Sequence, residues 1–146
     1  MKGKLFLPDT SAILTMMDNE GGADVVEGIL RTREILLPAV VLFEVYYKTI
    51  QNRGMEIAEL RYATLKSIKA KYIPELTEPV LLKGWELKAE YQISLADSII
   101  AAYAFLYDAT LVHKDPEFEV LTMVDQVKLP YKPKKERRGN GQPGEN

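Results

Sequence analysis

Five short apolar runs constrain this chain more than any other feature: residues 4–8, 35–37, 72–74, 110–113 and 127–129. Each is too short for a helix, and each lies between stretches whose apolar residues repeat at helical spacing. Strands that read as unbroken apolar runs belong in a sheet covered on both faces. The alternation therefore predicts an α/β domain of three layers, helix on sheet on helix, with a central, mainly parallel sheet.

The helical stretches carry their own punctuation. Asp9, Thr10 and Ser11 supply capping oxygens directly before Ala12, Ile13, Leu14, Met16 and Met17. A turn at residues 19–22 precedes a helix over 23–33. Pro38 suits the opening of a helix that bears Val41, Leu42, Val45 and Ile50 and stops at Gly54. A second helix over 55–69 completes that pair, and another spans 78–91, where Pro79 is tolerated in the first turn. Ser94 begins a helix repeating Leu95, Ile99, Ala102 and Phe105, and Pro116 opens a short helix to Leu121.

With 146 residues there is material for one domain with a real core, expected over residues 1–130. From Tyr131 onward five bases face only Glu136 and Glu145, with no apolar periodicity after Pro133, so residues 131–146 read as a basic, flexible tail. The chain as a whole carries a charge of −2, which leaves an acidic body. The absence of cysteine excludes disulfides, thiolate nucleophiles, cysteine zinc sites and iron–sulfur ligation. No signal-peptide pattern opens the sequence and no apolar run reaches about 18 residues, so a cytoplasmic protein with no membrane role is expected. A Walker lysine motif and a dinucleotide fingerprint are both missing, which removes ATP and NAD.

Four acids stand out. Asp9 and Asp115 each follow a predicted strand, and the carboxyl ends of strands form the usual ligand crevice of an open α/β sheet. Glu44 and Asp97 lie inside apolar runs, VVLFEV and LADSIIAA, where an unpaired carboxylate is costly or must take a proton. A cation would relieve that cost, and oxygen ligands with a single histidine suit Mg²⁺ or Mn²⁺. Other readings stay open for the same residues. Asp9 serves equally as a turn acid, Asp97 as part of a capping box begun by Ser94, and Asp115 as a turn-former before Pro116. His113 reads as structural, Lys114 as a surface ion-pair partner, and the tyrosines as packing residues.

Taken together, LFLPDTSAI, PAVVLFEVYYK, ISLADSIIAAYA and ATLVHKDPEFE, in that order over residues 4–130, resemble the PIN-domain ribonucleases, and most of all the VapC-type toxins of toxin–antitoxin systems. The resemblance implies a PIN-like fold and a divalent-metal-dependent endoribonuclease that hydrolyses RNA by metal-activated water, leaving a 5′-phosphate and a 3′-hydroxyl. It assigns Asp9, Asp97 and Asp115 as metal ligands. Glu44 is a fourth acid that positions the water or a second ion, and Ser11 supports Asp9 and caps its helix. Thr10 is a weaker support, Glu119 an accessory acid and Glu117 a solvated neighbour. The partners it implies are an RNA substrate, a cognate antitoxin and a second copy of the chain. A PIN nuclease of RNA maturation or quality control, or a noncatalytic interaction module, are the alternative functions.

Overall fold

In a computed structural model the chain is described over residues 4–133. Five strands, β1 (Leu5–Pro8), β2 (Glu34–Pro38), β3 (Lys71–Ile73), β4 (Thr110–His113) and β5 (Gln126–Lys128), form one sheet in the order β3-β2-β1-β4-β5. Every pairing is parallel, with Phe6 beside Ile35 on one side and Thr110 on the other. All four residues of β4 and four of the five in β2 are buried, as the continuous apolar runs require.

Six helices connect and cover the strands: α1 (Thr10–Met17), α2 (Ala23–Thr32), α3 (Ala39–Arg53), α4 (Met55–Ser67), α5 (Glu78–Glu90) and α6 (Leu95–Leu106). A 3-10 turn, Pro116–Val120, links β4 to β5. The expected element bounds hold to within two residues. Pro38 is the N-cap of α3, Gly54 closes it with φ +92°, and Ser94 caps α6 through a hydrogen bond from the Asp97 amide at 3.1 Å.

The core is split by the sheet. Ala12 and Val26 from α1 and α2 pack with Val112 and Leu129 on one side. The larger cluster joins Leu7, Leu36 and Leu111 to Val41, Leu87, Ile100 and Ala101. At its α5–α6 seam Gly84 faces Ala102, and a Cβ there would stand 3.9 Å from that of Ala102, in ordinary contact. Among the described residues no helix is long and apolar enough to cross a membrane.

The chain enters the sheet at β1, moves outward through β2 and β3, then crosses back to place β4 and β5 on the other side. β1 and β4 therefore flank a topological switch point, and the residues that follow them, Asp9 and Asp115, share one end of the sheet. Tyr131 and Lys132, expected in the tail, pack on this body. The Tyr131 ring stacks 6.2 Å from His113, and Lys132 approaches Glu20 at 3.4 Å. The rest of the expected tail, residues 134–146, lies outside the described residues.

Candidate metal centre

At the switch point, side chains from four parts of the chain meet in a cleft of about 1330 Å³. Asp9 comes from the end of β1, Glu44 from the second turn of α3, Asp97 from the first turn of α6, and Asp115 from the loop after β4. Asp97, Asp115 and Glu117 each bring a carboxylate oxygen within 4.8 Å of the others.

Short polar side chains of the same segments hold this arrangement. Asp9, only 2% exposed, caps α1 by accepting the Ala12 amide at 2.8 Å, and it also accepts the Ser11 hydroxyl at 2.7 Å. Ser11 Oγ in turn accepts the Lys114 amide at 2.9 Å, so one hydroxyl ties the end of β4 to the carboxylate at the end of β1. Thr10 donates its hydroxyl to Glu44 Oε1 at 2.5 Å. Asp115 caps the 3-10 turn through the Glu117 amide at 3.0 Å.

The acids feel one another. Burial pushes the Asp9 carboxyl up to about 7, against the pull of Ser11 and Ala12, and Asp115 and Glu44 add repulsion. Asp97 is pushed up to about 8, first by burial and then by Asp115, Asp9, Glu44 and Glu117. Glu117 is raised by burial and by Asp115. This set of hard oxygen donors, with no sulfur and with mutual repulsion that a positive ion would relieve, fits Mg²⁺ or Mn²⁺. Asp97, Asp115 and Glu117 would hold it, while the predicted ligands Asp9 and Glu44 line the same cleft outside that group of three.

The two glutamates after Pro116 exchange the places expected of them. An α-helix would bring the i+4 residue Glu119 over Asp115, but the segment is a 3-10 turn of three residues per turn. Phe118 takes the inward position, fully buried. Glu119 faces Lys128 at 3.5 Å, and Glu117 joins the acids. The tighter winding turns Glu119 away from Asp115, and no residue pattern announces it.

The remaining polar candidates are committed elsewhere. His113, fully buried, receives the Asp115 amide on Nδ1 at 3.1 Å and meets Gln126 Oε1 through Nε2 at 2.8 Å. With Nδ1 accepting, the proton sits on Nε2, and burial lowers the ring below its ordinary value. Lys114 lies near Glu20 at 3.8 Å and donates to the Gly21 carbonyl at 2.9 Å. Tyr103 anchors its hydroxyl on the Glu75 carbonyl at 2.6 Å, and Tyr46 packs edge-on to Tyr62.

Residues 6–122 match the family model of the PIN domain. The chain belongs to the PIN domain family. Solved structures share this PIN fold at low sequence identity. VapBC2 from Rickettsia felis, bound to a DNA fragment from its promoter, aligns with a TM-score of 0.71 and 17% identity over 86% of this chain and 99% of its own. VapC20 from Mycobacterium tuberculosis, described as a Sarcin-Ricin loop cleaving toxin, gives 0.69 and 15% over 84% and 98%. VapBC-1 from nontypeable Haemophilus influenzae gives 0.67 and 19% over 85% and 97%. No curated protein matches the chain.

Proposed function

We propose that this PIN domain is a divalent-metal-dependent endoribonuclease acting as the toxin of a toxin–antitoxin pair. The observation that carries the reading is the convergence of acids from the end of β1, α3, α6 and the loop after β4, with Asp9 and Asp97 pushed up to about 7 and about 8 by burial and by their neighbours. Carboxylates gathered at such a cost are poor scaffolding and good cation ligands.

In this reading Asp9, Asp97 and Asp115 bind the ion and Glu117 completes the set. When bound, the ion supplies positive charge to the phosphodiester oxygens and acidity to the attacking water. Glu44, steadied by the Thr10 hydroxyl, would take the proton from the attacking water as its oxygen bonds phosphorus in line and the P–O3′ bond breaks, the departing oxygen taking a proton to leave a 3′-hydroxyl beside a 5′-phosphate. Ser11 fixes the direction of the Asp9 carboxylate and couples it to the backbone beside Asp115. Antitoxin and homodimer partners are supported by the apolar side chains left on the α3–α4 pair, where Phe43 is 70% and Leu60 64% exposed.

The test is cleavage of structured and single-stranded RNA by the purified protein in Mn²⁺, Mg²⁺ or EDTA. Cleavage should require the ion and fall at least about 100-fold in Asp9→Asn and Asp97→Asn, beyond the usual effect of altering a ligand's supporting contacts. Glu117→Gln should weaken Mn²⁺ binding about 10-fold while Glu119→Gln leaves it unchanged. Ion-independent cleavage, or full activity in both folded aspartate variants, would overturn the assignment.

A further inference from the structure

The cleft extends well past the acids, along one face of α3. Counting from Glu44, Tyr47, Lys48, Gln51 and Asn52 fall at i+3, i+4, i+7 and i+8, so all line the same wall of the cleft. Lys48 stands one helical turn, about 6 Å, along the axis from Glu44, and Asn52 one turn further.

The cations of the cleft are not equivalent. Arg53 is paired with Asp18 at 3.1 Å, Lys114 is held by Gly21 and Glu20, and Lys132 approaches Glu20. Lys48 is half-buried in the same acidic cleft, yet among the described residues its ammonium forms no ion pair or side-chain hydrogen bond. A lysine packed into a fold for its own stability would be expected to have found one of the many nearby carboxylates. Beyond it, the amides of Gln51 and Asn52 are exposed and make no side-chain hydrogen bond among the described residues, and Tyr47, a residue 36% exposed, has its ring 5.7 Å from that of Phe43.

The geometry points to this face of α3 as the track that holds single-stranded RNA beside the acids, with Lys48 on the phosphate next to the bond being cut. Gln51 and Asn52 read base edges further along, and Tyr47 gives a base a stacking surface. The inference rests on the nuclease reading and adds to it the residues that grip and select the substrate. A cation, two amides and an aromatic ring are the groups that single-stranded RNA uses: charge for the backbone, donor–acceptor pairs for base edges and a π-face for stacking. An extended strand lying along α3 would meet them in sequence order.

The experiment is fluorescence anisotropy of the full chain with fluorescein-labelled, short single-stranded RNAs, adenine-rich and uracil-rich, held uncleaved in EDTA over a salt series. Lys48→Ala should weaken binding about 5-fold at low salt, equally for both RNAs, and reduce the salt slope by about 0.7. Lys48→Arg should restore both. Gln51→Ala and Asn52→Ala should instead change the ratio between the two RNAs and leave the slope alone. Wild-type affinity and slope in Lys48→Ala, or a loss that Lys48→Arg fails to rescue, would overturn the track; metal-dependent cleavage persisting in that variant would show that the nuclease reading survives. No binding of either RNA by the wild-type chain, together with no cleavage, would overturn both.

Discussion

The two ends of the sheet are both rich in charge and are organised in opposite ways. Where the strands begin, Lys4, Arg31, Arg33, Lys69 and Lys71 surround a cleft of about 870 Å³. Most of these cations have a partner of their own. Lys4 pairs with Asp125 and lies 3.9 Å from Asp108, Arg31 pairs with Glu27, Arg33 sits over the Phe6 ring and Lys71 over that of Tyr107. Where the strands end, carboxylates face other carboxylates, and neutral hydroxyls and amides hold them in place. Charge that is locally compensated at a surface stabilises little and asks for nothing. Charge that is buried and uncompensated is costly until it takes a proton or an ion, and in the proposed reading that difference marks the working end of the molecule.

The widest gap between the ends should appear in catalysis. Asp97→Asn should reduce RNA cleavage at least about 100-fold, whereas Lys71→Ala and Arg33→Ala at the opposite edge should stay within about 2-fold, measured as initial rates on the same RNA. An equal loss at both ends would break the comparison.

A second contrast lies in pH and metal. Asp9 and Asp97 hold their protons more tightly in the folded chain than in the unfolded one, where the value is near 3.8. The stability they contribute is therefore full below that value and is lost as pH rises through about 7 and about 8. Thermal unfolding without metal should show a falling Tm over this window, and Mn²⁺ should raise Tm more at pH 8 than at pH 5. Asp9→Asn, which keeps the helix cap, should raise the metal-free Tm at pH 8 by about 4 °C and abolish part of the Mn²⁺ response. A Tm that climbs from pH 5 to pH 8 without metal would contradict the burial of these acids. The smallest effect belongs to the other edge: Lys4→Ala should shift Tm by no more than about 2 °C, and less in high salt.

Much of this was legible in the sequence because the decisive signals are local. Strand ends were marked by Asp9 and Asp115, helix starts by Asp9, Pro38 and Ser94, and the stop of α3 by Gly54. Each is a choice a few residues make among themselves. The acids of α3 and α6 were visible because a carboxylate inside VVLFEV or LADSIIAA has no comfortable apolar explanation. What the pattern left open depends on partners distant in sequence. That β1 lies between β2 and β4 follows from non-local pairing, and it is this order that brings Asp9 and Asp115 together. Glu119 was misplaced because three residues per turn in place of 3.6 carries it about 80° further round from Asp115, whereas Glu117 joins the acids through contacts that local periodicity does not encode. Lys48 passed unnoticed because the role proposed for it rests on its having no ion pair among the described residues, which only the packed cleft reveals.

The position of β1 also governs when the site can exist. Its strand is synthesised early, yet the backbone amide that Ser11 holds belongs to Lys114, 103 residues later. Until β4 has emerged, β1 has no neighbour on that side, and Asp9 and Asp115 cannot face one another. A growing polypeptide on the ribosome thus carries Asp9, Glu44 and Asp97 without Asp115 beside them until β4 is made, so that topology itself postpones assembly of the proposed site until the domain is nearly complete.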